Sequence, residues 1–541
     1  MIRIQNISVS FDDKTPLAVL AENRLKLPPH SISGVVIVRK AIDARRYKGA
    51  GIKYIYILDV ELKGKEKNVL SRFKRDKNIS LAPANPPKRV FLPPTHQDLP
   101  PVVVGFGPAG MFAAFTLARA GYCPVVLERG RDVDRRHKDI QTFWGGGDFL
   151  AQSNVQFGEG GAGTFSDGKL TTRVSDPLIK EVLDDFVAAG APADIKYLHK
   201  PHIGTDILRK VVKNIRLEII RLGGAVSFES QVTGIERDAQ GGLCGLIING
   251  QERLKASAAF FGIGHSARDT YEMLYSAGLS MEAKPFAIGV RVEHPQSMID
   301  YAQYGEDAGN ELLPVADYAL TYNNKANGRG VYSFCMCPGG QVVAAASEIG
   351  GVVTNGMSNY RRDSGAANSA ILVTVSTNDF ADHVLGGIEF QRKWERAAFK
   401  AGGGNYYAPV QTVGDFLQGR SGSRAFLIPP SYKPGIRAVD LHECLPDFVH
   451  GMLTEALPYF GRKIKGFDDE GAVMTGIESR SSAPCRIIRD RASFESVSVA
   501  GFYPIGEGAG YAGGIMSAAV DGINAALAFL SKKAHTSVLT Q

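Results

Sequence analysis

Cysteine is scarce: Cys123, Cys244, Cys335, Cys337, Cys444 and Cys485 are the six in 541 residues. That density excludes a disulfide framework and points to a reducing compartment. Long apolar runs are missing too, with no stretch of about 18 consecutive apolar residues to cross a membrane. The first residues, MIRIQNISVS, lack the basic start, unbroken apolar core and small-residue cleavage site of a secretory signal. Cytoplasmic placement is therefore the expectation. No low-complexity tract and no internal repeat of roughly 20–50 residues occurs, which sets aside disordered scaffolds and solenoids. Cys/His pairs at zinc-ligand spacing are also lacking, so no metal site is expected.

What is there is a long chain of ordinary globular composition, 44% hydrophobic and 22% charged, so it should fold into about three structural units. Negative charge is short only at the N-terminus. Residues 1–100 hold 19 Lys/Arg against 9 Asp/Glu, although the whole chain carries only +7. This basic surface either is simply solvated or serves as a docking face for RNA, an acidic protein or anionic lipid. Two β-branched or aromatic runs, 35–38 and 54–60, flank a segment with helical spacing and predict a small α+β domain. Residues 82–101 carry seven prolines and read as a semi-stiff linker. The reading is thus an N-terminal α+β domain with its linker over 1–95 and a dinucleotide-binding part over 96–275. A β-rich α+β insertion follows over 276–440, and the dinucleotide fold returns over 441–541.

The reason for a dinucleotide fold lies at 102–128. A short apolar strand, 102–104, runs into GFGPAG, an apolar helix and a second strand ending at Glu128. Gly105 allows the tight turn, Gly107 lets a pyrophosphate approach the backbone, and Gly110 lets helix and strand pack closely. Pro108 and Ala109 open the helix, whose free N–H groups and dipole face the phosphates. Glu128, followed by Arg129, stands where a carboxylate accepts hydrogen bonds from both adenosine ribose hydroxyls and disfavours a 2′-phosphate. The segment 496–529 distinguishes FAD from NAD: an apolar strand leads to Gly506-Glu507, then Gly513-Gly514 and a small-residue helix from Ile515. An acidic residue at this place suits a ribitol, and a helix N-terminus suits the anionic edge of a reduced flavin. Alternating strands over 226–264 predict a β-meander that brings the backbone near Val232 to adenine, and a return strand that ends at Gly264. The glycine-rich run 158–169, with Gly163, Thr164 and Lys169, offers backbone N–H groups to anionic oxygens. Its glycine spacing sits in no second βαβ unit, so a dedicated nicotinamide domain is not expected. NAD(P)H is left as a transient electron donor.

Together these segments resemble a bacterial family of uncharacterised FAD-dependent dehydrogenases, also described as NAD(FAD)-utilising, within the glutathione-reductase-like flavoproteins. The segments that carry the resemblance are GFGPAG (105–110), NVQFGEGGAGTFSDGKL (154–170), FCMCPGGQVVAAASE (334–348), NGMSNYRRDSGAANSA (355–370), GIESRSSAPCRIIRD (476–490) and YPIGEGAGYAGGIMSAAVDG (503–522). Near residue 478 this chain departs from the family's E-T-R-T/S-S-S-P pattern, with Ser479 and Ala483. The resemblance implies a three-layer α/β Rossmann-type fold, non-covalent FAD and an oxidoreductase acting on a small molecule. It names neither substrate nor oligomeric state. Alternative readings are a flavin-dependent RNA-modifying enzyme and a non-enzymatic flavin redox sensor.

Candidates for the chemistry itself are weaker. Arg291 and Arg480 suit a carboxylate clamp and His294 a proton donor. Cys335 and Cys337 form a C-x-C pair next to Pro338, whose spacing differs from the Cys-x-x-Cys pairs of flavin disulfide reductases. Two reduced, packed thiols are the favoured reading.

Overall fold

The computed structural model describes residues 1–45, 51–84, 99–172 and 174–539. Most of the proline-rich stretch read as a linker lies outside them. At the N-terminus, four strands form an antiparallel sheet in the order Ile32–Asp43, Lys53–Leu62, Ile2–Ser10, Ile79–Leu81. Ile2, Ile4, Leu58 and Val60 pack on Ala21 and Leu25 of helix Leu17–Leu25. The segment read as helical after residue 38 instead continues as strand to Asp43, because Arg39 pairs with Ile57 and Asp43 with Lys53. Cross-strand pairing overrides the local spacing there. This domain is more than tethered. Ile52, Phe11 and Ile42 pack on Ile299, Tyr304 and Met336, and the Lys40 amide donates to the Tyr197 carbonyl at 2.7 Å.

The half expected from sequence to bind a dinucleotide is built on a five-stranded parallel sheet, ordered Phe502–Pro504, Ala259–Phe261, Val102–Val104, Val125–Leu127, Ala225–Ser227. Helix Pro108–Arg119 follows its central strand and packs on the C-terminal helix Ile515–Leu539. Small residues on both helices make this close approach: a Cβ at Gly522 would stand 2.1 Å from the Ala109 carbonyl oxygen. Residues Ile515–Lys533 are long and apolar enough to cross a membrane, yet 61% of that window is buried inside the protein, as expected of a core helix. Strands Val232–Arg237, Leu243–Ile248 and Glu252–Lys255 form the antiparallel meander.

A seven-stranded mixed sheet makes up the other half, ordered Thr321–Asn323, Gly330–Cys337, Ala366–Val375, Phe286–Pro295, Val473–Glu478, Ala408–Thr412, Ile436–Ala438. Near-continuous burial of Phe286–Pro295 and Ala366–Val375 shows that both faces are covered. The boundary drawn from sequence at 440 falls inside this sheet, since Val473–Glu478 pairs with Phe286–Pro295 on one side and Ala408–Thr412 on the other. Pairing across nearly 190 residues leaves no local signal. The chain passes between the halves through Met281–Ala283 and Cys485–Ile487, which pair antiparallel side by side.

A buried ion cluster joins the halves. Arg268, at the start of helix Arg268–Ser276, donates to both oxygens of Glu395 at 2.7 and 2.8 Å and to Glu348 at 2.6 Å. Arg480 donates to Glu395 from the other side at 2.9 and 3.1 Å. Burial pushes the Glu395 carboxyl up, but the two guanidiniums outweigh it and hold the group below the usual carboxylate range.

Candidate cofactor site

A cavity of about 420 Å³ lies between the parallel sheet and the seven-stranded sheet. Two helix N-termini open onto it. Helix Pro108–Arg119 is capped by Gly107 in extended conformation, and its first intrahelical bond runs from the Met111 amide to the Gly107 carbonyl. Pro108 has no N–H to lose, and the Ala109 and Gly110 amides have no intrahelical partner. On the C-terminal helix the Ala518 amide is the first to bond back, to the Gly514 carbonyl. Of the amides ahead of it, Gly513 donates to the Ser517 hydroxyl at 3.1 Å and Gly514 to Glu507, which leaves the Ile515, Met516 and Ser517 amides without an intrahelical partner.

The cradle around these ends is bare backbone. A Cβ added at Gly264, Gly513 or Gly514 would meet no protein atom within 4 Å, so these residues expose peptide directly to the cavity. At Gly105, with φ +89°, and at Gly110 the reason for glycine is packing: a Cβ would stand 2.5 Å from the Gly262 oxygen and 1.9 Å from the Gly105 oxygen. Such a surface admits a pyrophosphate and a flat ring system at van der Waals distance.

Glu128 ends the second strand and is buried. Its carboxylate accepts hydrogen bonds from the amides of Phe106 at 2.7 Å, Gly130 at 2.8 Å and Gly158 at 3.1 Å. A carboxylate has about four acceptor positions, so about one remains for a ribose hydroxyl instead of the two expected from sequence. Arg129, beside it, is held by Asp269 at 2.7 and 2.9 Å and lies over the Phe157 ring. Glu507 also faces the cavity. Burial pushes its carboxyl up to about 7, against the opposing effects of Lys284 and the Gly514 amide.

Among the residues singled out by sequence, the walls include Gly105, Gly107, Pro108, Ala109, Glu128 and Arg129. Gly163, Lys169, Val232 and Gly264 line it as well, as do Glu507, Gly513, Gly514 and Ile515. Three stand behind the walls. Gly110 serves packing, Thr164 is buried with its carbonyl accepting from the Thr205 hydroxyl at 2.7 Å, and the Gly506 amide donates to Asp521 at 2.6 Å. The sequence did not single out His265, Gln156 or Asn355, which also line the cavity. His265 follows Gly264 directly. Burial, reinforced by Arg480 and Arg268, pushes its imidazole down to about 3, so it is neutral at working pH.

The opposite wall comes from the seven-stranded sheet. A bulge between Phe334 and Cys337 in strand Gly330–Cys337 turns Cys335 and Cys337 toward the cavity, with Cys335 at φ +42°. Such bulges re-aim side chains at the cost of local strain. Both cysteines are free. Cys337 is buried, whereas Cys335 is exposed rather than packed as expected from sequence; the shortage of water in the cavity raises both thiols above the ordinary value, so both are protonated at neutral pH. Lys169 donates to the Met336 carbonyl between them.

Arg480 reaches the wall, but Glu395 holds its guanidinium. Arg291 stands one layer back, paired with Glu478 at 2.5 and 3.0 Å and bonded to the Cys335 carbonyl at 3.1 Å. It positions the bulge and has no free face for a substrate carboxylate. His294 is elsewhere, buried against Phe467, whose carbonyl lies 2.8 Å from Nε2, and burial pushes it down to about 4. It is a packed core residue away from the cavity wall and is not placed to donate a proton there. Among the described residues no His/Cys/Asp/Glu group is arranged to hold a metal.

Residues 285–481 match the family model described as "FAD-dependent protein, C-terminal domain-like", and residues 1–61 match a domain of unknown function. An uncharacterized protein of Clostridium beijerinckii is 52% identical over 535 residues, covering 98% of this chain and 99% of that one. Likeness to solved structures is distant. The glycerol-3-phosphate dehydrogenase of Bacillus halodurans complexed with FAD is 12% identical, with a TM-score of 0.35 over 82% of this chain and 65% of that one. A geranylgeranyl bacteriochlorophyll reductase-like protein of Thermoplasma acidophilum is also 12% identical, with a TM-score of 0.34 over 81% and 79%.

Proposed function

The chain belongs to the same family as the 52%-identical Clostridium beijerinckii protein, and we propose from that premise that it is an FAD-dependent oxidoreductase acting on a small molecule. The observation that carries the reading is the convergence of two helix N-termini and Glu128 on one cavity walled by bare glycine backbone. The FAD-dependent C-terminal domain match supports it from the other wall.

In this reading the Gly107 and Ala109 amides hold the pyrophosphate and Glu128 takes a ribose hydroxyl. Val232 and Arg129 flank the adenine end. Glu507 meets the ribitol, and the positive end of the helix that starts at Ile515 favours negative charge at the flavin edge. When bound, the flavin supplies two-electron hydride chemistry, with NAD(P)H as a transient donor. The chain's own residues orient it and exclude water. Cys335 and Cys337 act as neutral wall groups.

Acid precipitation of the purified protein tests the reading. FAD should appear in the supernatant, and anaerobic NADH or NADPH should bleach the bound flavin. FMN alone, no flavin, or flavin retained in the pellet would sink it.

A further inference from the structure

A second cavity, of about 620 Å³, lies where the N-terminal domain docks on the rest of the chain. Lys169 and Thr171 belong to its wall and to that of the cofactor cavity, so the two spaces adjoin. Val38, Arg39 and Ile57 form one side from the N-terminal sheet. Leu170, Ile179 and Leu183 face them from the dinucleotide half. Its volume is in the range that holds a small organic ligand.

The charges on this wall do not balance. Lys196 is paired with Asp184 at 2.5 Å, Lys200 with Asp317 at 2.8 Å and Arg362 with Asp167 at 2.6 Å. Asp317 is the only carboxylate that lines the cavity among the described residues, and Lys200 occupies it. Among the described residues the partners of Arg39 and Lys169 are neutral: the His199 ring nitrogen at 2.7 Å and the Met336 carbonyl. His199 is pushed down by burial, then by Arg39 and Lys200, which suits its role as a neutral acceptor. Two cations without a carboxylate, on a largely aliphatic wall beside a redox cavity, call for an anion with an apolar body.

We propose that this cavity binds the enzyme's substrate, an organic anion whose carboxylate or phosphate lies on Arg39 and Lys169 and whose apolar body lies against Leu170 and Leu183. The assignment as substrate rests on the FAD reading. The N-terminal domain then completes the substrate site.

Calorimetric titration of the full, flavin-loaded chain with 2-naphthoate, 2-naphthyl phosphate and the uncharged 2-naphthamide tests this. One anion should bind at a single site, at least about tenfold tighter than the amide, and perturb the flavin absorbance. The tighter of the two anions identifies the head group. Arg39→Glu should weaken the anion by about tenfold or more and leave the amide unchanged, while Leu183→Trp should block all three. If Arg39→Glu undocks the domain, seen as a lowered melting temperature, Arg39→Lys should retain anion binding and Leu183→Trp should still abolish it. Equal binding of anion and amide, or indifference to Leu183→Trp, overturns the proposal. Flavin content measured in the same samples separates the two readings: saturable anion binding by a chain without flavin keeps the anion site and removes the cofactor one.

Discussion

Replacing Glu128 by alanine removes the acceptor of three buried amides at once: Phe106 in the glycine turn, Gly130 after the second strand, and Gly158 in the glycine-rich run. A hydrogen bond to a charged group contributes about 1.5–3 kcal/mol, and a buried donor left unpaired costs a similar amount. Water reaching the cavity can satisfy part of the loss, so we expect about 2–4 kcal/mol of local destabilisation. That corresponds to roughly 30- to 1000-fold faster amide exchange in the peptides carrying Phe106, Gly130 and Gly158. FAD affinity should fall by roughly 1–3 kcal/mol, partly through the lost ribose contact and partly through the loosened turn. Exchange mass spectrometry on the flavin-free protein isolates the first effect, and FAD titration reads the second. Glu128→Gln should recover only part, because its amide nitrogen must face a backbone donor. Unchanged exchange in all three peptides would refute the anchoring role, even if FAD affinity fell.

Glu293 is buried, accepts from the Ser431 hydroxyl at 2.5 Å and is pushed up to about 7, mainly by burial. Because its folded value is raised, the stability it contributes is complete below the usual carboxyl range and is lost as pH rises through about 7. Glu293→Gln should therefore be near wild type at low pH and more stable above neutrality by on the order of 1–3 kcal/mol, read from melting curves across pH. Wild type and the Cys335→Ser/Cys337→Ser double variant should each consume two electrons per FAD in anaerobic dithionite titration, at about one two-electron flavin per chain; four electrons in wild type alone would make the thiols a redox pair. Removing residues 1–84 should expose Ile299, Tyr304 and Met336 and lower the melting temperature or cause aggregation; a truncated chain as stable as the full one would show that docking contributes little.

The glycine-walled cavity was legible because the signals for it are local. Gly105, Gly107, Gly110 and Glu128 stand within one strand, helix and strand, and each answers a constraint of backbone approach. The helix start at Ile515 could be read for the same reason. What escaped was built from distant segments. Val473–Glu478 joins a sheet begun near residue 286, the bulge at Cys335 depends on its neighbour Ala366–Val375, and Glu478 engages Arg291 from 187 residues away. His294 looked functional by type, and only packing against Phe467 reveals a core residue. The second cavity draws on three parts of the chain, so no sequence window contains it.

The buried cluster of Arg268, Glu395 and Arg480 carries a kinetic consequence. Parting the two halves at that seam would pull Arg268 away from Glu395 and Glu348 and leave its guanidinium uncompensated, while Glu395 keeps Arg480, and stripping a buried charge of its partner costs several kcal/mol. A wide opening of the cavity between the halves is correspondingly rare, and a flavin that leaves only through such an opening would wait for it. The flavin's residence time should therefore be long even where its equilibrium affinity is ordinary, and the holoprotein should survive dilution and gel filtration with its colour intact.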